Sequence, residues 1–139
     1  MKNLSIIFAL LFTSFVSIAQ ENKGVTVTVT IENVLSDGGT ILAGLHTADS
    51  FMKGPGVANA MQPAKTGELT LTFENVEPGS YAIMVMHDKN DNQRMDFEEN
   101  GMPKESYGMS GNEMTMGPPT FDAAKFEVSD EDIQLNIRF

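Results

Sequence analysis

Cysteine is absent from this 139-residue chain, and so is tryptophan. The first absence rules out a disulfide framework, the usual support of small exported domains, so stability must come from a core or a bound ion. It also rules out a thiol nucleophile and a lipid-carrying cysteine after the apolar N-terminal run. Positive charge is scarce. Nine lysines and arginines face 19 aspartates and glutamates, for a net charge of −10. Such a surface repels phosphate backbones and anionic lipids, which argues against nucleic acid as a partner and for cations. Histidine occurs twice, at His46 and His87. No Gly-x-Ser-x-Gly, phosphate loop or His-Glu-x-x-His is present.

The one long apolar run is N-terminal. Lys2 precedes Leu4 to Ile18, which carries Ile6, Ile7, Phe8, Leu10, Leu11, Phe12, Phe15 and Val16, and Ser17-Ile18-Ala19 follows. A basic start, a short apolar centre and small residues at the cleavage positions make the layout of a secretory signal peptide. The run is short for a bilayer span, and polar Gln20 to Lys23 follow it. The expectation is a cleaved segment at 1–19, one domain at 20–139 with no membrane span, and a periplasmic or extracellular location. Losing Lys2 makes the remainder more acidic still.

That remainder reads as all-β. Val25, Val27, Val29 and Ile31 alternate with Thr26, Thr28, Thr30 and Glu32, the period-two signature of a strand. Thr40 to His46 is a second strand, after the turn chemistry of Ser36-Asp37-Gly38-Gly39. Leu69, Leu71 and Phe73 alternate with threonines. Glu77-Pro78-Gly79-Ser80 fits a type II turn ahead of Tyr81 to Met86, which is apolar on both faces. Ile133 to Phe139 is a half-buried final strand, and Phe121 to Val128 a sixth. Asp49 to Ala64 offers a helical turn at Val57 to Met61, broken by Gly54-Pro55-Gly56 and Pro63. Short strands with glycine and proline turns predict a single antiparallel β-sandwich with one long ordered loop, Asp88 to Pro119.

That loop carries the strongest chemical pattern. Numbered from Asp88, oxygen-bearing side chains fall at positions one (Asp88), three (Asn90), five (Asn92), nine (Asp96) and twelve (Glu99), with Arg94 giving its carbonyl at position seven. These are the ligand positions of a calcium loop, because Ca²⁺ takes six to eight oxygens at about 2.3–2.6 Å from a tightly curled chain. Two features depart from it. Gln93 stands where glycine makes the sharp turn, at a cost of about 1 kcal/mol if it is held at positive φ. A strand rather than a helix leads into the loop. The competing reading is that these residues make solvated turns. Glu98, Glu99 and Glu105 read as solvated neighbours.

A second candidate site combines His87 and His46 with Met84 and Met86. Of ten methionines, seven fall between Met84 and Met116, and thioethers select Cu(I). The plainer readings are a histidine with a satisfied hydrogen bond and methionines filling gaps beneath a loop. A hydrolase built on His87 and Asp88 is a third reading.

The second half of the chain carries Pro78-Gly79-Ser80-Tyr81-Ala82, His87-Asp88 with its Asn-rich acidic loop, Gly101-Met102-Pro103-Lys104-Glu105, Tyr107-Gly108 and Gly117-Pro118-Pro119-Thr120-Phe121. On these motifs it resembles a bacterial family of exported domains of unknown function, the DUF2141-like family. The resemblance covers Gly24 to Phe139 and departs at Gln93, where the family usually has glycine. It implies a β-sandwich, export and no established activity. The Pro-Gly-x-Tyr turn is also similar to that of transthyretin-like and carboxypeptidase-regulatory domains, an analogy of fold alone. The functional expectation is a noncatalytic calcium-supported binding module facing a protein or glycan at the cell envelope.

Overall fold

A computed structural model describes residues 24–113 and 117–139. The expected signal peptide, 1–19, lies outside the described residues, as do Met114 and Met116. Two β-sheets pack face to face. The first has three strands in the order β4 (Gly67–Val76), β1 (Val25–Val34), β8 (Ile133–Arg138). The second runs β3 (Ala58–Pro63), β2 (Thr40–His46), β5 (Gly79–Asp88), β6 (Tyr107–Met109), and β7 (Phe126–Val128) shares the edge of β5 with β6. The fold is an all-β sandwich. Among the described residues no helix is long and apolar enough to cross a membrane.

The alternation in β1 decides its place. Val27, Val29 and Ile31 have no solvent exposure, and the intervening threonines face out. Burying each such side chain contributes about 1.5–3 kcal/mol. β1 pairs antiparallel with β4 (Thr28↔Thr72, Ile31↔Leu69) and parallel with β8 (Val29↔Leu135, Ile31↔Ile137). The parallel pair departs from the expected all-antiparallel arrangement. It arises because the chain crosses from β7 in one sheet to β8 in the other, and a parallel neighbour needs a crossover rather than a hairpin. Ile41, Ala43, Leu45, Ile83 and Val85 supply the opposing inner face.

Two local expectations are corrected. The helical turn at Val57 to Met61 is instead strand β3. It pairs antiparallel along β2 (Leu42↔Met61, Gly44↔Asn59), with Ala58 and Ala60 packed on the core. Alanine carries little strand signal by itself; the free edge of β2 imposes the extended form. Pro63 ends the strand on a sheet edge, where its missing N–H costs no ladder bond. The sixth strand is shorter than expected. Phe121–Ala124 forms one helical turn, α1, whose N-cap Thr120 accepts a hydrogen bond from Ala123 N–H at 3.3 Å. Only Phe126–Val128 continues as β7.

The long loop is ordered by backbone pairing. Ser106 O accepts from His87 N–H at 2.9 Å and Ser110 N–H donates to Ile83 O at 2.9 Å, so the segment runs back along β5. Phe97 and Pro103 form a bridge that closes the tip. Outside the second sheet, Phe51, Ala82 and Ala124 make a small satellite core with Met84, Met109 and Phe121 against it.

Candidate functional site

β5 ends on Asp88, whose side chain is wholly buried. The β1–β2 turn fits tightly against this end of the strand. Gly39, at φ 80°, lies so close that a Cβ there would strike the Asp88 carbonyl. Beyond Asp88 the chain curls. Asp91 and Gln93 take the left-handed conformation, φ 56° and 59°, and these two reversals aim successive amides at one carboxylate. Asp88 Oδ1 accepts from Asn92 N–H at 3.2 Å and Oδ2 from Gln93 N–H at 2.7 Å. Gln93 thus adopts the positive φ that glycine would take at position six. Thr40 Oγ1 donates to Asp91 Oδ1 at 2.7 Å and ties the curl to β2.

The remaining loop oxygens gather on the same side. Asn90 Oδ1 accepts from Asn92 N–H at 3.3 Å, and Asn92 Oδ1 from Arg94 N–H at 3.0 Å. Both amides turn their nitrogens to one oxygen: Asn90 Nδ2 and Asn92 Nδ2 donate to Asp96 Oδ2 at 2.7 and 2.8 Å. The Asn90 amide holds the Asp96 carboxyl below the usual carboxylate value, helped by the Asn92 amide and the Arg94 guanidinium and opposed by partial burial. The sequence pattern therefore places Asp88, Asn90, Asn92 and Asp96 in one hydrogen-bonded cluster. The Arg94 side chain points to solvent. Among the described residues, no three His, Asp or Glu side chains form a ready metal cage.

The twelfth position does not join this cluster. Glu99 is exposed in the turn at the loop's tip, as is Glu98. Glu105 instead reaches the backbone beside the cluster. It is 6% exposed, and its Oε2 accepts from Asp96 N–H at 2.8 Å, while Lys104 N–H donates to Asp96 O at 2.8 Å. The expectation of a solvated Glu105 is corrected: the Phe97–Pro103 bridge folds the tip back and delivers its carboxylate to Asp96. Its one trace in the sequence was membership of the Gly-x-Pro-Lys-Glu stretch. The ion pairs of the described residues, Lys125–Asp122 and Arg138–Glu32, lie elsewhere, so Asp88 and Glu105 are buried carboxylates without a basic partner.

The two histidines do not meet. His87 points into the sandwich, fully buried, with Nε2 donating to Gly38 O at 2.6 Å and its ring stacked on Phe139 at 6.4 Å. Its Nδ1 finds no partner among the described residues. His46 pairs across from Ala82 on the outer face of the same sheet. Met84 and Met86 share that outer face, so the second candidate site divides: His46, Met84 and Met86 on one side, His87 on the other. His46 Nδ1 lies 3.3 Å from Ser50 O, and its ring meets Phe51 edge-on at 6.0 Å.

Burial lowers the His46 pKa below its ordinary 6.5, with the Ser50 carbonyl opposing. The unfolded chain then binds more protons than the folded one between the lowered value and 6.5, so stability falls as pH drops through that window. Melting temperatures across that range are expected to fall less steeply for His46→Gln than for the native chain; parallel slopes would show that His46 takes no part.

The comparison with curated proteins gave no match, and that with solved structures gave none either. A family model, described as an uncharacterized protein conserved in bacteria, matches residues 29–136. That span runs from within β1 to within β8 and takes in the whole acidic loop with Glu105. The chain therefore belongs to the DUF2141 family of bacterial proteins.

Proposed function

We propose that this exported β-sandwich is a noncatalytic binding module whose Asp88 to Glu105 segment holds a calcium ion. The observation that carries the reading is the wholly buried Asp88 carboxylate with no basic partner. Burying uncompensated negative charge is costly. The backbone N–H groups of Asn92 and Gln93 relieve part of that cost, and Asp96 and Glu105 add two more carboxylates. An all-oxygen donor set suits a hard cation with flexible coordination. Asp88, Asn90, Asn92, the Arg94 carbonyl, Asp96 and Glu105 would hold it. The two amide nitrogens now on Asp96 Oδ2 stand where positive charge is wanted, and both amides turn when the ion displaces them. The bound ion fixes the returning segment, so that exposed Lys104 and Tyr107 present a formed surface to a protein or glycan at the cell envelope. Hydrolysis at His87 and Asp88 is disfavoured because both are wholly buried and His87 Nε2 is engaged by Gly38 O.

Calorimetric titration of the chelator-treated protein with CaCl₂ tests the reading. Saturable heat with one ion per chain is expected, and Asp96→Asn, at a half-buried position, is expected to weaken it at least tenfold. A folded native chain giving no heat at millimolar calcium ends the proposal.

A further inference from the structure

A groove of roughly 570 Å³ runs over the outer face of the second sheet, with Gln93 and Met95 of the acidic loop among its lining residues. Its floor follows from strand register. Gly44 lies opposite Met84 on β5 and Asn59 on β3, while Leu42 lies opposite Met86 and Met61. Thioethers from two strands therefore share one face, as the period of two requires. His46, two residues beyond Gly44 on that face, closes one end.

His46 is 6% exposed, yet no partner among the described residues meets its Nε2. Nδ1 sits beside the Ser50 carbonyl, which accepts its proton and leaves the Nε2 lone pair free. A metal-binding imidazole is held in this way, its second nitrogen donating to a carbonyl that fixes tautomer and ring direction. The free nitrogen points into the groove. A Cβ on Gly44 would stand 2.7 Å from Nε2 and 3.4 Å from Asn59 Oδ1, so the space in front of the lone pair exists only because residue 44 is glycine. Met84 lies diagonally across from His46, within reach of a long side chain.

We propose that His46 Nε2 and the Met84 thioether, with Met86 as a third donor, form a binding site for a soft monovalent metal ion, Cu(I) or Ag(I). Imidazole with thioethers matches the preference of Cu(I) and is poor in the oxygens that calcium requires. The ion enters and leaves as Cu(I), with no change of oxidation state. The site shares no donor with the acidic loop and stands or falls separately from the calcium reading.

The test is anaerobic transfer of Cu(I) from its bicinchoninate complex to the protein, followed by loss of the chelator's colour, in excess calcium. The native chain is expected to take one equivalent. His46→Gln, and separately Met84→Leu with Met86→Leu, are expected to lower affinity by more than about 100-fold, beyond the loss typical of an outer-shell change. Gly44→Ala removes no donor but fills the space before Nε2, and it too is expected to lose the ion. Met102→Leu, at an exposed position outside the groove, serves as the control. Unaltered melting temperatures without metal separate loss of the site from loss of the fold. Equal Cu(I) uptake by the native chain and folded His46→Gln, or by Gly44→Ala, overturns the proposal.

Discussion

Replacing Glu105 with glutamine is expected to remove calcium-dependent stabilisation, whereas Glu99→Gln leaves it intact. The native chain at a calcium concentration about 100 times its dissociation constant should gain about 2.7 kcal/mol from the ion. For a domain of this size, that is a rise of several degrees in melting temperature. Glu105→Gln keeps an oxygen for Asp96 N–H, so stability without calcium should stay close to native. Its charge is gone, and ligand charge count is the main control on calcium affinity. Glu105→Ala goes further: it leaves the Asp96 N–H without its acceptor, at a cost of about 1–3 kcal/mol even without metal. Glu99 is exposed, and its replacement should change stability by no more than about 0.5 kcal/mol. Melting curves of the three variants with calcium and with chelator decide the matter. If Glu99→Gln abolished the shift and Glu105→Gln kept it, the ligand set would revert to the twelve-residue pattern.

Ile31→Ala is expected to be the most destabilising single change in the core. Ile31 has no exposure and sits in the central strand of the three-stranded sheet, between Leu69 and Ile137. Truncation there removes three carbons from a site clamped on both edges by backbone hydrogen bonds, so little can collapse into the gap. The expected loss is about 2–5 kcal/mol, against a total of about 5–15 kcal/mol for a typical domain. With no cysteine in the chain, no cross-link softens the loss. Urea unfolding should show a lower midpoint at unchanged slope. A shift below about 1 kcal/mol would mean that the sandwich repacks around the gap and that β1 is not its rigid centre.

The strands were legible wherever residues with strong preferences alternated. Val25 to Ile31 states its buried face outright, and Tyr81 to Met86, apolar throughout, reads as a strand, although its outer face is only partly covered at Met84 and Met86. Even the separation of the histidines was present as phase: His46 is one step out of register with Ile41, Ala43 and Leu45, while His87 is in step with Ile83 and Val85. β3 was hidden because Ala58 and Ala60 are small and prefer no face, so only the free edge of β2 could extend them. α1 was hidden because a Thr120 cap and one turn are too short to show a period.

The sequence by itself determined the all-β class, the inner faces of the long strands, and the spacing that gathers Asp88, Asn90, Asn92 and Asp96, because these depend on neighbours within a few residues. The tertiary structure alone decided the parallel union of β1 and β8, the burial of Glu105 against Asp96 N–H while Glu99 stays exposed, and the register that sets Met84 opposite Gly44 on the face that carries His46. Each joins positions on different strands or on the two limbs of a folded-back loop. Local periodicity says which way a side chain points, but not which other segment will lie beside it.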